Sequence, residues 1–238
     1  MLEINKTPEE LLEEIKDIAA KKHFSFEDYQ QLHKRFFALN SIFELEQVNQ
    51  TNMDMLFEIE SNIANSKKQH RQRTEEVILS FMGYLPIKLF AKKNDTGDNK
   101  TKEKAASLLS DFAKKLYAIK IPRDSFSGKR KSCAIQILGS LACYFDATEF
   151  LEVAKKALKD KSKVQFVQVT DSLQEYFKSV DKEPDEEIIK IIDKRCGKAK
   201  TKTELMASLQ FLVETHVISE LEALSRLDEW KEKNDVWY

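Results

Sequence analysis

Apolar residues recur at helical spacing along most of the chain, and the pattern repeats itself in the C-terminal half. Four consecutive helices are predicted there, at 148–159, 162–180, 185–196 and 202–216. Phe150 precedes Ile188 by 38 residues, and Val164 precedes Thr203 by 39 residues. A period near forty residues in a helical chain is typical of stacked helix pairs. The pattern therefore predicts two successive helical pairs related by an internal repeat.

The N-terminal part has the same spacing, together with signals for where helices begin. Thr7 and Pro8 stand where a first helix would start, and two acidic residues follow at the positive end of its dipole. Ser25 would cap a second helix, with Asp28 as its capping-box partner. Two helices are therefore predicted before residue 50.

Two stretches interrupt the helical pattern. Pro86 lies inside an apolar run, so we expect a kink or a break at Leu85. Residues 92–104 contain no apolar side chain, and this composition predicts a solvated loop. The predicted organisation is an N-terminal helical region at 1–91, this loop, and a repeat region at 105–238.

The repeat region is predicted to contain two further parts. A slightly divergent helix pair, at 105–119 and 129–145, would precede the two repeats. A last helix, at 217–230, has the polar face that a terminal repeat needs as a cap.

Composition supports a helical fold and limits the possible functions. The chain of 238 residues has 5 glycines and 4 prolines, too few turn-formers for a β-rich fold, so we predict an all-α fold. The formal net charge is -1. Nucleic-acid binding favours a strongly basic domain, so any such activity would have to come from local clusters.

The sequence carries no recognisable catalytic constellation. It has no nucleotide-binding glycine loop, no nucleophile elbow and no HExxH pair. The cysteines Cys133, Cys143 and Cys196 form no zinc-binding spacing and are expected to be small buried thiols. His216 is expected to be a hydrogen-bonded core residue rather than a base. We predict a non-enzymatic protein without metal or cofactor.

Two further features bear on location. The chain has no apolar run of the length that a transmembrane helix needs. The first residues are acidic where a secretory signal would be basic and then apolar. We expect a cytoplasmic protein without membrane insertion.

Residues 105–216 resemble HEAT or armadillo repeats in their period, helix pairing and apolar positions. The proline and Asp/Arg positions typical of HEAT units are not clearly present. The resemblance implies a right-handed α-solenoid of antiparallel helix pairs, with inner helices on a concave binding face. An irregular helical bundle is the alternative.

Basic residues recur at the turn between the two helices of each pair, where a solenoid would align them along one edge. Positive charge at the start of an inner helix is unfavourable unless an anion is bound nearby. The candidate partner-binding residues of this edge are Arg123, Lys129, Arg130, Lys131, Lys159, Lys161, Lys163, Lys198, Lys200 and Lys202.

Polar residues on the inner helices form a second candidate surface. The inner-helix residues predicted to face a partner are Gln136, Ser140, Gln165, Gln168 and Glu175. Acidic residues at the returns between pairs, such as 181–187, predict an opposite acidic edge.

These features favour a protein-binding scaffold that holds an acidic segment of a partner protein. One alternative is a nucleic-acid binder or a HEAT-like DNA-repair glycosylase, which would need aromatics and a carboxylate in a basic cleft. The other is a self-assembling helical protein with an apolar seam within 24–63.

Overall fold

The computed structural model describes residues 6–21, 23–64, 71–91, 98–119, 127–160 and 163–234. Within these residues the regular structure is eleven α-helices and one short 3-10 helix, without a strand. The predicted all-α class is confirmed. The chain divides into two compact units, Met1–Phe145 and Asp146–Tyr238.

The N-terminal unit contains six of these helices. They are α1 (Pro8–Ala20), α2 (Phe26–Ile42), α3 (Gln50–Ala64), α4 (Arg71–Phe90), α5 (Asn99–Ala118) and α6 (Ser127–Ala142), with the 3-10 turn Leu45–Gln47 between α2 and α3. Both predicted helix starts are confirmed. The Thr7 hydroxyl accepts from the Glu10 amide, and the Ser25 hydroxyl accepts from the Asp28 amide, each in a reciprocal capping box.

The core of this unit forms where helices meet in several directions. Helix α1 packs on α2 and α3, α4 packs on α2, α3 and α6, and α5 packs on α3 and α6. Phe81 of α4 lies between two rings of the α2 segment, with centroids 5.4 Å from Phe36 and 5.8 Å from Phe43. These contacts join α2 to α4 along one side of the unit.

Helix α4 continues through Pro86, so of the kink or break predicted at Leu85 the break is wrong. Proline inside a helix costs about 3 kcal/mol. Leu85 and Leu89 are both buried, and each buried leucine contributes about 1.5–3 kcal/mol. Burial on several faces of α4 therefore outweighs the lost backbone hydrogen bond.

The predicted polar loop at 92–104 is wrong in its second half. Residues 92–97 lie outside the described residues, but α5 begins at Asn99, with the Asp98 carboxylate accepting from the Thr101 amide at 3.0 Å. The first turns of α5 need no apolar residue because they are mostly exposed. The contacts group α5 and α6 with the N-terminal unit, whereas the sequence had placed them with the repeats.

The C-terminal unit contains the two repeated pairs and a last helix. Its helices are α7 (Thr148–Lys159), α8 (Lys163–Val180), α9 (Glu186–Cys196), α10 (Lys202–Glu214) and α11 (Glu220–Lys233). Helix α7 packs on α8 and α9, and α10 packs on α8, α9 and α11. The four helices predicted at 148–216 are therefore present with nearly the expected bounds.

Burial in this unit repeats at the offsets found in the sequence. The buried residues related by 38 positions are Phe150 with Ile188 and Ala154 with Ile192, and those related by 39 are Phe166 with Leu205 and Leu173 with Leu212. Corresponding positions of α7 and α9, and of α8 and α10, are thus both buried in the core.

Helices α8 and α10 end in the same way. The next residues with left-handed backbone are Asp181, with φ of 51°, and His216, with φ of 59°. In each case the following amide donates to a carbonyl in the last helical turn, Lys182 to Phe177 and Val217 to Leu212. His216 is exposed at this position, so its predicted core location is wrong.

In the part of the chain that the structure describes, every helix is too short or too polar to cross a membrane.

Substitution of equivalent core leucines tests the repeated burial. Leu173→Ala and Leu212→Ala should each lower the free energy of unfolding by roughly 2–5 kcal/mol, because both side chains are fully buried. Leu224→Ala is the matched control, since this leucine is 56% exposed and its loss should change stability by about 0.5 kcal/mol or less. Urea denaturation measures all three. Equal effects at the control and at the two core sites would contradict the assignment.

Candidate functional site

The predicted basic edge is divided between the two units. Arg123 and Lys161 lie outside the described residues, and Lys163 begins α8 with a side chain that the structure does not describe. Three members lie in the first turns of α6, and the other four lie in the C-terminal unit. The described members of the predicted edge therefore belong to two different units.

Arg130 is not a surface residue, and its assignment to the basic edge is wrong. Its side chain is 1% exposed. The guanidinium Nε donates to the Glu60 carboxylate at 2.7 Å, and Nη2 donates to the Glu75 carboxylate. The start of α6 faces α3 and α4, which supply these two buried acids. A sequence signal existed, because Glu60 lies within the apolar stripe of α3.

This buried set contains more acid than base. One guanidinium can neutralise only one of the two carboxylates, and a second buried charge is expensive. Burial raises the pKa of Glu60 well above its usual range, and Glu75 raises it further, whereas Arg130 lowers it. The Arg130–Glu60–Glu75 triad therefore retains a proton at pH values where an exposed glutamate would have lost it.

The two lysines beside Arg130 contact their own unit. Lys129 forms an ion pair with Glu76 of α4. The Lys131 ammonium lies 5.4 Å from the centroid of the Tyr117 ring, within the range of a cation–π interaction. The two lysines at the start of α6 thus both contact residues of their own unit.

The predicted separation into a basic and an acidic edge is wrong at α7 and α9. Lys155 lies 2.8 Å from the Asp185 carboxylate, and Lys159 lies 2.9 Å from that of Glu187. These lysines end α7, whereas the acids begin α9, so opposite charges meet where the two helices pack. Lys159 is consequently paired rather than available at an edge.

Four of the five residues of the predicted inner-helix surface are buried or half-buried. Ser140 and Gln165 are in the core, because α6 and α8 each have neighbouring helices on more than one side. Gln136 packs on α4 at Gly83, where an added Cβ would come within 2.8 Å of the amide oxygen. Gln168 is half-buried and donates to the Ser172 hydroxyl, and only Glu175 is exposed. These residues do not form an open binding face.

Arg195 fixes the turn between α9 and α10. Its guanidinium carbon lies 4.0 Å from the centroid of the Phe166 ring. Nε and Nη2 donate to the Glu204 carboxylate, and Nη1 donates to the carbonyls at the end of α7, 2.6 Å from that of Asp160. A basic residue in a helix-ending run gave no sequence signal for this role. The arginine holds the turn that carries Lys198 and Lys200.

Lys198 and Lys200 are exposed beside a groove of about 890 Å³. We call this cavity the lysine groove. It runs between the α9–α10 turn and α11. Its rim carries Lys198, Lys200 and Lys233, and its walls include Cys196, Leu205 and Trp230. Lys202, next along the chain, is also exposed.

The lysine groove has an excess of positive charge. Of its lining residues, Arg226 is already paired with Asp193 at 2.6 Å. The three rim lysines make no ion pair with any residue that the structure describes, and Glu229 is the one lining acid left to oppose them. The groove therefore favours an anionic occupant.

Trp230 donates a hydrogen bond to the turn that follows α9. Its indole Nε1 donates to the Ala199 carbonyl at 2.8 Å. The carbonyls of Asp193, Arg195 and Cys196 accept from backbone amides of the turn. Because these helix-end acceptors are satisfied, Lys198 and Lys200 are not needed as hydrogen-bonding caps.

Cysteine and metal chemistry receive no support in this groove. Burial raises the pKa of the Cys196 thiol, so it is protonated at neutral pH and a poor nucleophile. Among the described residues, no group of three or more histidine, cysteine or acidic side chains could hold a metal ion.

No family model, curated protein or solved structure matches this chain. The resemblance of residues 105–216 to HEAT or armadillo repeats stays a prediction. Function has to be inferred from the geometry and charge described above.

The buried triad predicts an unusual dependence of stability on pH. Because the pKa of Glu60 is higher in the folded than in the unfolded chain, its contribution is fully present below the unfolded pKa and is lost as pH rises toward the folded one. Carboxyl groups with lowered pKa values, such as Asp28 at about 2, change only at more acidic pH. The free energy of unfolding should therefore fall as pH rises above the range in which an ordinary glutamate loses its proton.

Glu60→Gln should remove much of this slope, so that its stability relative to the parent rises with pH. Glu103→Gln is the control, because this glutamate is exposed in α5. Urea denaturation at several pH values measures both. The idea that the buried triad retains a proton would be contradicted if the stability of the parent protein did not change with pH. It would also be contradicted if Glu60→Gln kept the same dependence of stability on pH.

Proposed function

We propose that this chain is a non-enzymatic binding protein whose lysine groove holds an acidic segment of a partner protein. The observation that carries the proposal is the set of three rim lysines, which have no ion pair within the described residues and surround a half-buried tryptophan. Two of these lysines, Lys198 and Lys200, belong to the predicted basic edge.

The rim lysines differ from three paired lysines of the same unit, and they differ from its other exposed lysines in that they line the lysine groove. Lys155, Lys159 and Lys190 each pair with an acid of α9 or its cap. Positive charge that is left exposed around a concave surface raises the local concentration of anions. The contrast supports a binding role for Lys198 and Lys200.

An acidic peptide suits the groove better than a nucleic acid. Tight binding along a phosphate backbone uses many basic contacts, whereas the groove supplies three lysines. Stacking of bases needs open aromatic faces, and Trp230 is half-buried with its indole N–H bonded to Ala199. A peptide can place carboxylates on the rim and an apolar side chain against Trp230 and Leu205.

The proposal also takes α7–α10 as two repeats of a short α-solenoid. Support comes from burial at equal offsets, for example Leu173 with Leu212, and from similar ends of α8 and α10. In this view the turn between α9 and α10 is the binding edge of the second repeat.

A triple variant tests the site. Lys198→Gln, Lys200→Gln and Lys233→Gln together should weaken binding of a fluorescently labelled glutamate-rich peptide with a central leucine. Each exposed ion pair contributes about 0.2–1 kcal/mol, so the loss should be roughly 3- to 150-fold at low salt. Fluorescence anisotropy gives the dissociation constant, and the loss should shrink as salt rises.

The control carries the same change of charge elsewhere in the unit, at the exposed residues Lys156, Lys178 and Lys182. It should bind like the parent. An equal loss in the control would mean that the peptide senses only overall charge. Tighter binding of a DNA duplex than of the peptide, lost in the triple variant, would favour the nucleic-acid alternative.

A further inference from the structure

A second concave surface lies in the N-terminal unit, between α2 and α4. Its volume is about 590 Å³, and we call it the aromatic groove. The aromatic side chains that line it are Tyr29, Phe36, Phe37, Phe81 and Tyr84. Polar or charged residues also line the groove, namely His33, Asn40, Arg73, Glu76 and Ser80, so the surface is amphipathic.

The groove follows two helices that run side by side in the same direction. The Lys88 ammonium, near the end of α4, donates to the carbonyls of Asn40 and Phe43 at 2.5 and 2.6 Å. This contact places the last turns of α2 and α4 together. The α2 residues that line the groove span Tyr29 to Asn40, about three helical turns or roughly 16 Å.

Two of the aromatic rings remain exposed. Phe37 is 64% exposed and Tyr84 is 48% exposed, whereas the adjacent Phe36 is buried in the core. Single exposed apolar residues are common, but a contiguous exposed aromatic patch marks an interaction site. Phe36 and Phe37 therefore serve different surfaces.

One charged group indicates what the occupant must supply. Arg73, near the start of α4, lines the groove, is exposed and has no ion pair within the part of the chain that is described. The acid on the lining, Glu76, is already paired with Lys129.

We propose that the aromatic groove binds an amphipathic helix of a partner protein. The apolar face of that helix covers Phe37 and Tyr84, and a carboxylate reaches Arg73. A groove between two aligned helices accepts the side-chain ridge of a third, with anchors spaced by three, four and seven residues. This site is independent of the lysine groove.

The charge pattern disfavours a second copy of the chain as the occupant. The exposed residues beside Phe37 on α2 include His33, Lys34 and Ser41, and none of them is acidic. The acid on the lining, Glu76, is already paired with Lys129, so two copies that met through this face would bring Arg73 no unpaired carboxylate from α2 or from the lining. A partner that brings its own acid fits better.

Selection from a display library of helical peptides tests the proposal. Peptides enriched by the parent protein should share the apolar spacing and carry an acidic residue near one end. Phe37→Ser should weaken the enriched peptides by about tenfold or more, as loss of a central aromatic does at other interfaces. Phe26→Ser is the matched control, because Phe26 is an exposed phenylalanine of the same helix outside the groove lining.

A double-mutant cycle tests the charge. Replacing the acid of the peptide by glutamine should reduce binding to the parent and have little effect on Arg73→Gln. Circular dichroism shows that the variants are folded. No enrichment, enrichment without the spacing, or equal losses in Phe26→Ser and Phe37→Ser would overturn the proposal. A dimer in solution that becomes a monomer in Phe37→Ser would assign the groove to a second copy instead.

Discussion

Arg130 holds together three helices of the N-terminal unit through two carboxylates that are buried with it. Glu60 lies on α3, Glu75 on α4 and Arg130 on α6. All three side chains have almost no contact with solvent. A buried ion pair adds little net stability, but an unpaired buried charge is strongly unfavourable. We infer that the triad mainly determines which helices pack together and in what register along their axes. Other arrangements would leave a buried charge without its partner.

Arg195 has a related role in the C-terminal unit. It is less deeply buried, and it bonds a carboxylate, two carbonyls and the face of an aromatic ring at once. Arginine suits this task because its planar donors can satisfy several acceptors in fixed directions. Both arginines thus join packed elements within their own units. The lysine groove lies directly beside the turn that Arg195 holds.

Periodicity and capping residues predicted the helices well, because both depend on neighbouring residues in the chain. The bounds of α7 and the starts of α1 and α2 follow from such local signals. Burial of Arg130 does not, since Arg130 and Lys131 are adjacent and both positively charged. The continuation of α4 through Pro86 depends on packing on several sides of the helix, which is a tertiary effect. Both grooves join residues from separate helices, so neither could be predicted from spacing alone.

Nuclear magnetic resonance can locate directly the proposed binding of an acidic segment at the lysine groove. In a titration of the labelled protein with a glutamate-rich peptide, the backbone amides of 198–200 and the indole N–H of Trp230 should shift first and saturate together. The amides of α2 around Phe37 should not change. Shifts spread evenly over the exposed lysines of both units, or absent at Trp230, would contradict the assignment of the groove as the binding site.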